Sequence, residues 1–197
     1  MTSCTHHHFL VFAAVALVAW AAGTFAFVYF QPQLFYNGVK RAVVRGLGFK
    51  KGGIPVNTLY ALSTLASPSL SKSNLILTGN RDTLYVGGAL DLGEGPQILH
   101  VPDMAGRYYS VEVFGRCLDV VAIVGRRTTG TCAADYLISG PDWIGTVPDG
   151  VTRIVSPGNS VLVIGRVLVE GEADIATAYD LAKQIQVTPL APRHSGQ

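Results

Sequence analysis

The chain has 197 residues, 49% of them hydrophobic and only 14% charged, with a net charge of +2. Its length supports one domain of ordinary size, while a mean hydropathy of +0.34 is too high for a plain water-soluble domain. The small net charge, with a single basic run that carries no nucleic-acid motif, excludes a nucleic-acid-binding module.

The apolar excess is local. Residues 1–8 are a short polar tail in which His6, His7 and His8 read as a flank, since three adjacent imidazoles without further ligands make a poor metal site. From Phe9 to Phe30 no side chain is charged. At about 1.5 Å per helical residue this run covers roughly 33 Å, enough to cross the ~30 Å hydrocarbon core. It is longer than the apolar region of a cleaved signal peptide, and no Ala-x-Ala site follows it, so a transmembrane helix is predicted over residues 9–30. Ala19, Gly23, Ala22 and Ala26 form small-xxx-small pairs of the kind that let helices approach closely.

Residues 31–51 are predicted as a juxtamembrane amphipathic helix and a hinge. Pro32 ends the buried run, and Phe35, Val39, Val43 and Leu47 recur every fourth residue opposite Lys40, Arg41 and Arg45. A basic amphipathic helix in this place either lies along lipid headgroups or packs on the domain that follows. The hinge is Lys50-Lys51-Gly52-Gly53-Ile54.

Residues 52–190 read as a β-rich domain. Residues 56–65 are a helix or an extended lead-in, and a Ser-rich loop follows. Strands are predicted at 75–78, 83–90, 97–101, 108–114, 119–124, 136–139, 152–156 and 160–169, because apolar residues alternate there between Gly-, Pro- and Asp-rich turns. Their spacing suits an antiparallel β-sandwich or jelly-roll-like domain. One helix near 173–184 closes it, with Ile175, Tyr179 and Ala182 on one face; Pro189 and Pro192 then stop regular structure, and residues 191–197 form a tail.

Several ordered motifs carry a resemblance: Asn-Arg-Asp-Thr-Leu-Tyr (80–85), Leu-Asp-Leu (90–92), Val-Pro-Asp-Met-Ala-Gly-Arg-Tyr-Tyr (101–109), Gly-Arg-Arg-Thr-Thr-Gly-Thr (125–131), Gly-Pro-Asp-Trp-Ile-Gly-Thr-Val-Pro-Asp-Gly-Val (140–151) and Ile-Gly-Arg-Val (164–167). From about Val56 to Leu190 the chain resembles the bacterial domain-of-unknown-function 1254 family. The resemblance implies a β domain without an assigned reaction. It also implies a setting outside the cytoplasm and frequent association with a second domain, of the 1214 type, for which this sequence leaves no room.

The familiar catalytic signatures are missing: no GxSxG elbow, no HExxH, no phosphate-binding GxxxxGK[ST]. No Cys/His spacing suits a metal, so neither metal nor cofactor is expected. His100 has no evident partner and reads as a packed or turn-bonded residue. The candidate ligand-binding residues are polar groups at strand ends: Asn80, Arg81 and Asp82, then Arg107 and Tyr108, then Arg126, Arg127 and Thr128, with Tyr85 as a pocket wall. Guanidinium and hydroxyl donors in this pattern suit a carboxylate or phosphate, and the same residues could simply pin turns by ion pairs.

The chain is therefore expected to be a non-catalytic, single-pass accessory subunit of a membrane complex. Its partners would be the bilayer and another anchored chain, for which the resemblance suggests the 1214 type. The alternative is an enzyme or a small-anion-binding protein whose site, centred on Arg81, Asp82, Arg107 and Arg126, is completed by a partner. Lys and Arg follow the span and none precede it, which favours a cytoplasmic domain. The family resemblance favours the opposite side, and because domain-sized segments translocate largely regardless of charge, an extracytoplasmic domain on the bacterial inner membrane is expected. There Cys117 and Cys132 could form a disulfide.

Overall fold

The computed structural model describes residues 2–45, 52–65, 80 and 82–190. The strand predicted at 75–78, Lys50 and Lys51 of the hinge, Arg81 and the tail 191–197 lie outside the described residues. Helix α1 runs unbroken from Thr2 to Val44 and includes Pro32. A proline inside a helix removes one main-chain hydrogen bond and crowds the carbonyl four residues back, so a break was expected there. The break does not occur, and the predicted transmembrane and juxtamembrane helices are one rod about 65 Å long. Its His8–Val44 portion contains an 18-residue window of mean hydropathy 2.2 and is long and apolar enough to cross a membrane. Large apolar side chains stand exposed along it from Phe9 to Phe35.

The strands are β1 (Tyr60–Ala61), β2 (Thr83–Asp91), β3 (Gln97–Val101), β4 (Tyr109–Phe114), β5 (Val120–Gly125), β6 (Ala134–Ser139), β7 (Thr152–Val155), β8 (Ser160–Leu168) and β9 (Gln186–Pro189). Among the described residues they make a five-stranded sheet in the order β1-β2-β8-β4-β5 and a four-stranded sheet in the order β7-β6-β3-β9. The pairings are antiparallel except β6 with β7, which is parallel. Strands β1 and β9 were not predicted. Strand β9 contains the proline expected to end regular structure, and it sits at a sheet edge, where a missing N–H is tolerated.

Period-two alternation makes the core. Leu84, Val86 and Leu90 of β2, Val161, Val163 and Val167 of β8, and Tyr109, Val111 and Val113 of β4 meet Leu99, Val101, Tyr136 and Ile138 of the smaller sheet. Helix α2 (Ile175–Gln184), entered through a single 3-10 turn at Glu172–Asp174, buries Ala178 and Ala182 in the same core. Gln97 is 3% exposed, and its Oε1 has no hydrogen-bond partner among the described residues. An unsatisfied buried acceptor costs about 1–3 kcal/mol, so Gln97→Met should raise the thermal midpoint of the protein. An unchanged or lower midpoint in calorimetry would show that the oxygen is satisfied.

The outer face of the larger sheet carries a second, smaller layer. Register aligns Ala89 of β2, Leu162 of β8 and Phe114 of β4 in one row across it. The last turns of α1 lie on this row. Tyr36 and Val39 are buried against Ala89 and Leu162, with Val43 and Val44 alongside. The Tyr36 hydroxyl donates to Ser160 Oγ (3.0 Å), Lys40 Nζ donates to the same oxygen (2.6 Å), and the Ile54 N–H caps the carbonyl of Val44 (3.2 Å). Of the two placements open from sequence, α1 therefore packs on the β domain. Val39 and Val43 of the predicted stripe do so, together with Tyr36 in place of Phe35, which is 41% exposed.

Candidate ligand-binding site

The predicted site residues gather along one end of the five-stranded sheet. Thr83 lies opposite Leu168, Tyr109 opposite Val167, and Ser110 opposite Gly125. The start of β2, the end of β8, the start of β4 and the end of β5 consequently share a rim. It bears Asn80 and Asp82, Arg107 and Tyr108, and Arg126 to Thr128. With strands ~4.8 Å apart the rim extends about 14 Å from β2 to β5, so one small ligand cannot touch all of these residues. Arg81 lies outside the described residues.

Some of the set is committed to holding the fold. Asn80 Oδ1 accepts from the backbone N–H of Asp82 (3.2 Å) and Thr83 (3.1 Å), while its Nδ2 donates to the Thr83 carbonyl (2.9 Å); this local turn launches β2. Thr128 Oγ1 donates to the carbonyls of Ile123 (2.8 Å) and Gly125 (3.2 Å) and shapes the turn after β5. Arg107 makes a two-pronged pair with Asp174 at the entrance of α2 (Nη1–Oδ2 2.5 Å, Nη2–Oδ1 2.8 Å), and Nη1 also donates to the Leu168 carbonyl (2.7 Å). Hydrogen bonds from Arg107 and then from the Glu170 N–H hold the Asp174 carboxyl down at about 2. Arg107 is thus a clamp between the sheet and α2.

The remaining cations behave differently. The Arg166 guanidinium lies 5.5 Å from the ring centre of Tyr85, and that of Arg127 lies 5.8 Å from the ring centre of Tyr108. Arg126, Arg127 and Arg166 are exposed, and none pairs with a carboxylate among the described residues. A guanidinium lying over a ring keeps its N–H edge for a carboxylate or phosphate. Asp82 is exposed on the same rim, and its carbonyl accepts from the Val169 N–H (2.7 Å). Arg166 went unsuggested by the sequence, although an arginine directly across from an aromatic in the neighbouring strand is what register alone supplies. Tyr85 also walls an apolar cavity of about 50 Å³ beneath the end of α1, shared with Val39, Val43, Tyr60 and Ile164.

His100 does have a partner. Its Nδ1 lies 2.7 Å from Asp135 Oδ1, a cross-strand pair of β3 and β6 with both side chains about half exposed (49% and 46%). The two are 35 positions apart in sequence, which hid the pairing. No group of three metal-ligating side chains occurs among the described residues.

The Cys117–Cys132 disulfide that an exported domain would allow is not formed. Both thiols are free and exposed. Cys117 precedes β5 and Cys132 follows it, so a strand of six residues, about 20 Å of chain, separates them, whereas bridged Cα atoms lie within ~7 Å.

No curated protein matches the sequence. The fold is similar to that of a crystal structure from Vibrio parahaemolyticus, at 26% identity and a TM-score of 0.62, over 81% of this chain and 35% of that one. This chain therefore spans about a third of that relative's length. An uncharacterized protein from Burkholderia cenocepacia matches at 14% identity and a TM-score of 0.39, over 57% of this chain and 31% of its own. Residues 56–189, which take in both sheets from β1 to β9, match the family described as Protein of unknown function (DUF1254), and the chain belongs to that family.

Proposed function

We propose that this protein is a membrane-anchored, non-catalytic binding subunit that works beside another membrane-bound chain. One observation carries the reading. The helix that exposes large apolar side chains from Phe9 to Phe35 continues without interruption into Tyr36 and Val39, which are buried on the sheet. An apolar surface of that length needs a nonaqueous cover, and the bilayer provides one. The docked turns then hold the β domain at the membrane surface. A companion chain of the 1214 type beside the domain is part of this reading. The domain faces the extracytoplasmic side of the bacterial inner membrane in this reading. Gentle solubilisation of native membranes, followed by size analysis and mass spectrometry, should recover the chain with a stoichiometric companion. Migration as a lone protomer would defeat the subunit reading.

A second reading concerns what the domain binds. The arginines over Tyr85 and Tyr108 favour a small carboxylate or phosphate anion at that rim. Arg127→Gln with Arg166→Gln removes both free guanidinium edges and leaves the Arg107 clamp intact. Calorimetric titration with succinate and with inorganic phosphate should show binding to the native chain that weakens at least tenfold, about 1.4 kcal/mol, in the double variant. Equal binding by both proteins would remove this rim from consideration.

A further inference from the structure

Along the last turns of α1 lies an open groove of about 330 Å³, lined by Asn37, Lys40, Arg41, Val44, Arg45 and Val56. Its lining holds three cations and no carboxylate. Arg41 and Arg45 stand one helical turn apart, both exposed, and neither forms an ion pair with a described residue. Lys40 is held in place by Ser160. The end of a helix carries partial negative charge that would oppose an anion, but here the Val44 carbonyl is occupied by the Ile54 N–H. Clustered cations that remain unpaired on one helical face repel one another, and an oxyanion between them removes that repulsion.

We infer that this groove binds a phosphate-bearing anion, and its depth points to the headgroup of an anionic phospholipid as the source. Along α1 the exposed large apolar side chains end at Phe35. Lys40 and Arg41 follow five and six residues later, about 8–9 Å along the axis. That places them just beyond the hydrocarbon core, at the level of the lipid phosphates. Val44 and Val56 give the groove an apolar floor that suits a glycerol backbone. The inference rests on the anchor reading above and adds a lipid class and its binding residues.

The test uses the full chain in nanodiscs of phosphatidylglycerol and phosphatidylcholine in equal amounts, with retained lipids identified by native mass spectrometry. The native chain should keep phosphatidylglycerol preferentially. Arg41→Gln with Arg45→Gln should reduce that preference about thirtyfold, taking each cation as one of the juxtamembrane charges that attract anionic lipid. Lys183→Gln, an exposed cation on α2 paired with Asp180, should leave it unchanged. Excess inorganic phosphate that fails to displace the lipid assigns the source to the membrane, whereas displacement by millimolar phosphate assigns the groove to a soluble phosphate. Equal retention of the two lipids, or a preference untouched by the Arg41 and Arg45 changes, overturns the proposal. A chain that never enters the bilayer sinks the anchor reading instead, and phosphate binding by the free native chain and the Arg41/Arg45 variant then decides the groove by itself.

Discussion

Replacing Tyr36 with alanine will loosen the end of α1 from the β domain by about 3 kcal/mol. Tyr36 is 1% exposed and is the largest side chain of the small cluster formed with Val39, Ala89 and Leu162. Truncating a fully buried aromatic costs about 3–5 kcal/mol, and the lower end applies at the margin of a domain, where neighbours relax into the space. The contact is local, so the change should open this joint before it unfolds the sheets. Hydrogen exchange at the amides of residues 36–44, in the full chain held in detergent micelles, should accelerate on the order of a hundredfold. Tyr36→Phe keeps the ring and loses only the bond to Ser160 Oγ, so its effect should stay near 1 kcal/mol. If alanine and phenylalanine variants exchange alike, the ring does not hold the joint. An unchanged alanine variant would mean that the helix is not docked through Tyr36 at all.

The same joint shows what the sequence made legible and what it did not. Strands β3 and β8 and the bounds of α2 followed from alternation and turn chemistry, because both signals lie within a few neighbouring residues. The helical period near Val39 and Val43 was also visible, but which face turned inward depended on Ala89 and Leu162, two strands that meet only in the fold. Pro32 misled for a related reason: its cost to helix continuity is fixed locally, while the docking of the following turns is a tertiary contact. Strand β9 exists because Ile98 and Leu99 of β3 present an edge to Val187 and Thr188. The candidate site follows the same division. Its residues could be placed at strand ends from sequence, yet Asp174 as the partner of Arg107, Arg166 beside Tyr85, and Asp135 beside His100 are long-range pairings set by register and chain return. Whether the cysteines could pair was not legible, because residue spacing ignores that an extended strand carries its two ends apart.

Arg107→Leu will be the more damaging of the rim substitutions, and its signature will be a changed response to acid. The guanidinium joins β4, the Leu168 carbonyl at the end of β8 and the carboxylate that opens α2, with the two side chains only 14% and 21% exposed. Removing it leaves Asp174 with only the Glu170 N–H and takes a donor from the Leu168 carbonyl, at a cost of about 2–3 kcal/mol. For a chain of this length the thermal midpoint should fall by roughly 5–10 °C. The pH dependence follows from the depressed carboxyl. Asp174 titrates at about 2 in the folded protein against an ordinary 3.8, so the unfolded chain takes up its proton first as pH falls. The stabilisation is therefore complete above about pH 4 and is lost between about pH 4 and pH 2. Without Arg107 the largest cause of the depression is gone, so the variant should lose less of its stability over that interval, although it starts from a lower value at neutral pH. Urea unfolding at about pH 5 and about pH 2.5 measures both quantities for both proteins. Parallel losses would assign the acid sensitivity to some other carboxyl, whereas a full drop in the native chain with a shallow one in the variant identifies the Arg107–Asp174 clamp as the joint between the sheet and α2.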